Sequence, residues 1–248
     1  MCIRDSIKKD NPFPAVCGSI CRKYCEDACT RGTVDEPLAI DEIKKFIAEQ
    51  DMKAEHRYVP PMNSCTHEKF DQKIAIIGGG PTGIAAAYFL GRAGVETTIF
   101  EREQCLGGVP RHVIPAFRIT NEAIQKDIAL MEKYGVEVRC GAPAPSVAEL
   151  KAMGYTHILY AVGAWKPGQL GIPGDVAGAI QWMKGVKAGN ISVGGNVAVV
   201  GAGNTAMDAA RLAKRSGAQH VTIVYRRTKK YMPADEHELA LALADGVT

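Results

Sequence analysis

The chain has no apolar run approaching the roughly 20 residues that cross a bilayer as a helix. Nothing between Met1 and Pro14 resembles the apolar stretch of a secretory signal. A dominant charge is also missing. Thirty Lys and Arg against 27 Asp and Glu leave a net charge of +3, too mild to argue for nucleic acid, and no basic block forms a binding stripe. The histidines (His56, His67, His112, His157, His220, His237) are scattered without metal-ligand spacing and read as surface or core residues. With 46% apolar and 23% charged residues, the composition is globular and not disordered. A length of 248 residues allows one large domain or two ordinary ones. These absences together lead us to expect a cytoplasmic protein with neither nucleic acid nor membrane as partner.

Local pattern divides the chain into three regions. The first, residues 1–64, holds a cysteine cluster, a helical pattern from Ile40 to Gln50, and a linker with Pro60 and Pro61 where helix does not continue easily. The second, residues 65–190, opens with Lys73-Ile-Ala-Ile-Ile, an apolar run of the kind a buried parallel strand shows. A glycine turn, an Ala-rich helix from Thr82 to Ala93 and a strand from Val95 to Phe100 complete a βαβ unit. A helix near Asn121 to Tyr134 and strands at Val136 to Arg139 and Thr156 to Val162 come next. The third region, residues 191–248, repeats this start. Asn196-Val-Ala-Val-Val-Gly-Ala-Gly mirrors Lys73-Ile-Ala-Ile-Ile-Gly-Gly-Gly, followed by a helix (Thr205 to Arg215), a strand (Val221 to Tyr225) and a helix near Ala234. The expected class is therefore α/β, with two Rossmann-type dinucleotide-binding units behind a small α-helical segment. A second such unit needs more strands to close its sheet, so the chain reads as a fragment at its C-terminal end. Met1 to Ser6 differ in character from the rest of the segment, as a spurious start would.

Gly78-x-Gly80-x-x-Gly83 lies between strand and helix, the context this fingerprint requires. Gly78 permits the tight turn, Gly80 lets a pyrophosphate approach the backbone, and Gly83 lets helix and strand pack closely. The helix start, with Pro81 in its first turn, offers N–H groups to phosphate. Glu101 ends the second strand, 23 residues after Gly78, where a carboxylate can accept from ribose hydroxyls. The second turn, Gly201-x-Gly203-x-x-Ala206, leads into Asn204 and Thr205. Its following strand ends in Arg226-Arg227, 25 and 26 residues beyond Gly201. Where a carboxylate would favour NAD, paired guanidinium groups suit the 2′-phosphate of NADPH. The plain alternative is two solvated arginines beside Lys229 and Lys230.

Cys17, Cys21, Cys25 and Cys29 recur at every fourth residue among eight cysteines. In a chain expected to be intracellular, that number argues against a disulfide framework. A buried helical stripe would share the spacing, but Arg22, Lys23, Glu26 and Asp27 make the segment polar. Four thiolates beside a nucleotide unit suit an iron–sulfur cluster, with structural zinc as the alternative. Cys65, Cys105 and Cys140 are isolated and receive no chemistry; Cys2 lies in the doubtful start.

The order of parts is specific. Asn11-Pro-Phe-Pro, the cysteines, and Asp35-Glu36-Pro37-Leu-Ala-Ile40 resemble the iron–sulfur segment of the glutamate synthase small-subunit family, and of the N-terminal half of dihydropyrimidine dehydrogenase. Gly107-Gly108, Arg111, Ile114-Pro115-x-Phe117-Arg118, Ala161-Val-Gly163-Ala164, Gly203-Asn-Thr-Ala-Met-Asp208 and Tyr225-Arg-Arg227 extend the resemblance to about Val247. It implies that FAD sits at the first turn (with Gly108, Arg111 and Gly163 among its contacts) and NADPH at the second. It also implies [4Fe-4S] clusters at the cysteines and hydride transfer from NADPH to FAD. Electrons would then pass singly to an electron-accepting subunit or domain. No acid–base side chain is needed, and none is named as catalytic. Family members carry further cysteines upstream, absent here, so the four present are not divided between clusters. Two rival readings differ in kind. A thioredoxin-reductase-like enzyme needs a redox cysteine pair near the flavin, and Cys105 has no partner nearby in sequence. A non-catalytic iron–sulfur or zinc docking module would keep the nucleotide folds only as scaffold.

Overall fold

The computed structural model describes residues 2–62, 70–166, 168, 170–174 and 176–248; Cys65 and His67 lie outside them. The chain forms two compact units, Met1–Arg111 with Ala116–Gly163, and His112–Pro115 with Ala164–Thr248.

The first unit begins with four helices, α1 (Ile3–Asp10), α2 (Pro14–Ile20), α3 (Tyr24–Asp27) and α4 (Ile40–Lys53). It continues through β1 (Lys73–Ile77), α5 (Pro81–Arg92), β2 (Glu96–Glu101), α6 (Gly108–His112), α7 (Asn121–Glu132), β3 (Glu137–Cys140), α8 (Val147–Ala152) and β4 (His157–Tyr160). The strands form a parallel sheet in the order β3-β2-β1-β4, with Ile76 level with Ile99 on one side and Leu159 on the other. Both faces of the central strands are covered, which is why β1 reads as an unbroken apolar run. Ile76 and Ile99, with Ile84 and Tyr88 of α5 and Ile128 and Met131 of α7, are buried on one face. Ala75, Ile77 and Phe100 pack with Leu150 of α8 and Tyr155 on the other. Local chemistry sets the helix ends. Pro81 opens α5, whose free first N–H groups make proline harmless there. Thr120 caps α7 by accepting from Ala123 N–H, and Ser146 and Glu149 form a reciprocal capping box at α8.

Of the four leading helices, α1 and α2 join this unit through their ends. Asn11 accepts from the Phe13 N–H at 2.8 Å, Pro14 has no N–H, and Asp127 Oδ2 accepts from both Ala15 and Val16 N–H at 3.0 Å. All free donors at the start of α2 are thereby satisfied, two of them from α7. At the end of α1 the logic reverses: the Tyr88 hydroxyl donates to the Lys8 carbonyl at 2.5 Å and Arg92 donates to the Lys9 carbonyl at 2.6 Å. A cation there also opposes the negative end of the helix dipole. Lys8 pairs with the buried Asp51 and donates to the Tyr58 carbonyl, while Arg57 bonds both Asp51 and the Lys126 carbonyl. Burial alone would raise the Asp51 carboxyl, but Lys8 and Arg57 outweigh it and hold it below the usual range. Gly18 lets α2 cross α4 closely, since a Cβ there would fall 2.7 Å from the Lys45 Cβ.

The second unit holds α9 (Ala179–Lys187), β5 (Asn196–Val200), α10 (Asn204–Arg215), β6 (His220–Val224) and α11 (Glu236–Ala244). β5 and β6 pair in parallel, with Val197 opposite Val221. Met207, Ala210 and Ala213 of α10 pack with Val221, Ala242 and Val247. Thr248 N–H donates to the Val221 carbonyl and the Thr248 carbonyl accepts from Ile223 N–H, so the chain runs beside β6 at its last residue. Among the described residues, no helix is long and apolar enough to cross a membrane.

The expected strands and helices of both βαβ units are present, displaced by one or two residues at their ends. Helices α1, α2, α3, α6, α8 and α9 are additions to the elements expected from sequence.

Asp127 generates a prediction. Burial pushes its carboxyl up to about 7, against the two N–H groups that favour the charged form. The folded state therefore favours the neutral acid, whose contribution is full below about pH 4 and is lost as pH rises towards about 7. Urea unfolding followed by circular dichroism is expected to show wild type losing stability across that window relative to Asp127→Asn. Asp127→Ala, which orphans two amides, is expected to cost about 2–4 kcal/mol. A pH-independent difference between wild type and the Asn variant would contradict the neutral-acid assignment.

Candidate functional site

The first glycine turn is built so tightly that its backbone admits only glycine at two points. Gly78 sits at φ +110°, its N–H donates to the Phe100 carbonyl at 2.8 Å, and a Cβ on it would meet the Ala161 oxygen at 2.5 Å. The ends of β1, β2 and β4 thus converge on this residue. A Cβ on Gly83 would lie 2.0 Å from the Gly78 oxygen, which is the close helix–strand contact expected of the third glycine. Gly80 caps α5, and a Cβ on Gly108, itself at φ +53°, would fall 2.7 Å from the Gly80 Cα. Two backbones meet here with no side chain between them, leaving the N-terminal amides of α5 approachable.

The loop after β2 braces this turn. Gly107 N–H donates to the Gly79 carbonyl at 2.8 Å. Arg111 donates to the Leu106 carbonyl and to Gln125 Oε1, both at 2.9 Å. Glu101 is buried, and its two oxygens accept from Gly79 N–H at 2.6 Å and Glu103 N–H at 2.9 Å. The carboxylate expected to face a ribose is turned into the loop, spanning the turn and the strand end. Gly163, at φ +72°, follows β4 at the same end of the sheet.

The second turn copies the first with more room. Gly201 is at φ +137° and bonds the Val224 carbonyl at 2.9 Å, but a Cβ on it would meet only the Ala206 Cβ, at 3.7 Å. This is why alanine is tolerated at the third position here and excluded at Gly83. Gly203 caps α10; Asn204, next in the helix, accepts from Asp235 N–H at 3.0 Å, and the Ala202 carbonyl accepts from Ala234 N–H at 2.9 Å. Thr205 follows in the first turn of α10. Arg226 and Arg227 are both exposed just past β6, and neither makes an ion pair among the described residues. Arg227, Thr228 and Tyr231 line an open concavity of about 430 Å³.

The four spaced cysteines are distributed over consecutive short elements: Cys17 in α2, Cys21 at its end, Cys25 in α3 and Cys29 just after it. None is in a disulfide. Backbone N–H groups of Leu38, Arg31 and Gly32 lower the Cys29 thiol, and Lys23 N–H donates to Cys21 Sγ at 3.4 Å. Amide donors on sulfur are a usual setting for iron–sulfur thiolates. Burial, by contrast, raises Cys17. The donors fit an iron–sulfur group in kind; among the described residues, no three His, Cys, Asp or Glu side chains converge as a metal site.

Two segments of the chain match known protein families. Residues 72–247 match the pyridine nucleotide-disulphide oxidoreductase family, and residues 3–56 match dihydropyrimidine dehydrogenase domain II, 4Fe-4S cluster. The chain is 40% identical to YgfK of Escherichia coli K12, over 97% of this chain and 24% of that protein. It is 35% identical to the NADPH-Fe(3+) oxidoreductase subunit beta of Geobacter sulfurreducens, over 98% of this chain and 37% of the relative. For the NAD-dependent dihydropyrimidine dehydrogenase subunit PreT of Salmonella typhimurium the figures are 32%, 98% and 60%. The chain therefore spans between about a quarter and three-fifths of the length of these relatives. Among solved structures, Mycobacterium tuberculosis FprA in complex with NADPH superposes with a TM-score of 0.55 at 23% identity, over 70% of this chain and 47% of FprA; the likeness is one of fold.

The unequal room in the two turns sets an expectation. Gly83→Ala should cost about 3 kcal/mol through backbone collision, whereas Ala206→Gly should cost about 1 kcal/mol or less through helix propensity. Urea unfolding monitored by circular dichroism measures both; equal costs would mean the first turn is no tighter than the second.

Proposed function

The chain belongs to the pyridine nucleotide-disulphide oxidoreductase family, and on that premise we propose that it is the dinucleotide-binding part of an NADPH-dependent iron–sulfur flavoprotein oxidoreductase. The observation that carries this reading is the pair of strand–glycine turn–helix units in one chain, the first ending in Glu101 and the second in Arg226-Arg227. The tight turn at Gly78, Gly80, Pro81 and Gly83, with Gly108, Arg111 and Gly163 around it, would hold FAD. The turn at Gly201, Gly203, Asn204 and Thr205 would hold NADPH. When bound, FAD supplies the chemistry: it accepts an electron pair as hydride and releases electrons singly. The chain's own part is to bind and orient both dinucleotides, through backbone amides at two helix starts and the arginine charge just past β6.

The relatives' names divide between NADPH, NADP and NAD, so kinship alone does not choose the nucleotide. Arg226 and Arg227 favour NADPH, because exposed guanidinium groups without internal partners are available for charge-assisted bonds to a 2′-phosphate. Cys17, Cys21, Cys25 and Cys29 supply thiolate donors for an iron–sulfur group, whose chemistry when bound is one-electron transfer. Relatives at this identity are named as subunits, which supports an electron-accepting subunit or domain as partner. We assign residues 1–64 to the iron–sulfur segment, 65–190 to FAD and 191–248 to NADPH.

Two measurements test the reading. The chain is purified without oxygen, supplied with iron, sulfide and FAD, and its visible spectrum recorded. A broad violet–blue band that reductant bleaches, with flavin peaks, is expected; a colourless protein containing zinc would defeat the iron–sulfur assignment. In fluorescence titrations, Arg226→Ala with Arg227→Ala should weaken NADPH binding about 10- to 100-fold and leave NADH nearly unchanged. Equal weakening of both would show that the 2′-phosphate is not read there.

A further inference from the structure

Cys105 and Cys140 stand 35 residues apart in the sequence, and the parallel sheet brings them to one end. β2 and β3 run in register with Glu101 opposite Cys140. The loop after β2 then folds back over that strand end. Gly141 N–H donates to the carbonyls of Glu101 at 3.0 Å and Glu103 at 2.8 Å, and a Cβ on Gly141 would lie 3.0 Å from Gln104 Oε1. Cys140 is thus held beside residues 101, 103 and 104, and Cys105 is the next residue of the same loop. Both cysteines are half-buried. The Cys140 thiol is pushed up by burial and further by negative charge on Glu101 and Cys105, so the two sulfurs lie within electrostatic reach of each other.

The other end of the loop rests on the first glycine turn. Gly107 N–H bonds the Gly79 carbonyl, and the Leu106 side chain occupies the space where a Cβ on Gly79 would go. Whatever fastens this loop to β3 therefore also fastens the turn.

We propose that Cys105 and Cys140 form a reversible dithiol–disulfide pair, a redox clasp between the loop 102–107 and the end of β3. With oxidised glutathione as oxidant, the Cys105 thiolate attacks one sulfur of its disulfide and releases one glutathione thiol, leaving a mixed disulfide on Cys105. Cys140, whose raised thiol reacts second, loses its proton and attacks the Cys105 sulfur, releasing the other glutathione thiol. The two protein thiols give up two protons and two electrons, and oxidised glutathione takes both to become two thiols. A disulfide at a half-buried loop remains open to reductant and belongs with the labile, regulatory kind rather than the structural kind. The pair is separate from the four-cysteine segment, which lies on other elements.

The test uses the whole chain, reduced and then exposed anaerobically to oxidised glutathione. It is alkylated, digested without reduction and mapped by mass spectrometry. A peptide linked through Cys105 and Cys140 is expected, reversed by dithiothreitol and absent from Cys105→Ser. Separate glutathione adducts on the two residues, or linkage of either to another cysteine, would overturn the proposal. Amide hydrogen exchange across the loop 102–107 should slow roughly tenfold on oxidation of wild type and stay constant in Cys140→Ser. Unchanged exchange in a cross-linked chain would rule out the clasp. Neither readout uses a flavin, so this proposal fails or stands apart from the dinucleotide assignment.

Discussion

Asp127 supplies from α7 the two hydrogen bonds that the start of α2 cannot find within its own helix. Much of the first unit follows from this contact. A helix of seven residues has little stability of its own, so α2 and its cysteine take their position from a carboxylate over a hundred residues further along the chain. Tyr88 and Arg92 hold the opposite pole of α1. The arrangement buries the charged pair Lys8 and Asp51 and the carboxyl of Asp127, which is costly unless partners are exact in position. Its effect is orientation: these groups fix the end of α1 against α5 and the start of α2 against α7.

The two glycine turns show how one motif serves two demands. Around Gly78 three strand ends, the loop after β2 and the start of α5 crowd together, so a methyl group at Gly83 has no space. Around Gly201, among the described residues, two strands are paired and Ala206 fits. The turns also differ in what their second strands present. Glu101 is drawn inward to hold its own loop, while Arg226 and Arg227 remain exposed. The carboxylate thus acts on the protein's backbone, and the arginines remain available to a ligand.

Much of the fold was legible because the information is local. Apolar runs ending in Gly78 and Gly201, the Ala-rich helices and the glycine breaks specify both βαβ units within about 30 residues each. The capping box Ser146-x-x-Glu149 that starts α8 is equally local. Asp127 left a subtler sign: it stands on the apolar stripe of Ile124, Ile128 and Met131, where a buried polar group needs a partner. No sequence pattern names that partner, and α1 and α2 stayed unassigned because their end groups are satisfied from distant elements.

The sequence by itself determined the two glycine turns, their strand-end charges and the regular spacing of four cysteines. Each depends on residue identity at fixed spacing along one local stretch of backbone. Tertiary structure alone decided that Glu101 turns into its own loop, that Asp127 caps α2, and that Cys105 and Cys140 share a sheet end. These relations join residues from 22 to 112 positions apart, and only helix packing and the order and register of parallel strands bring such residues together.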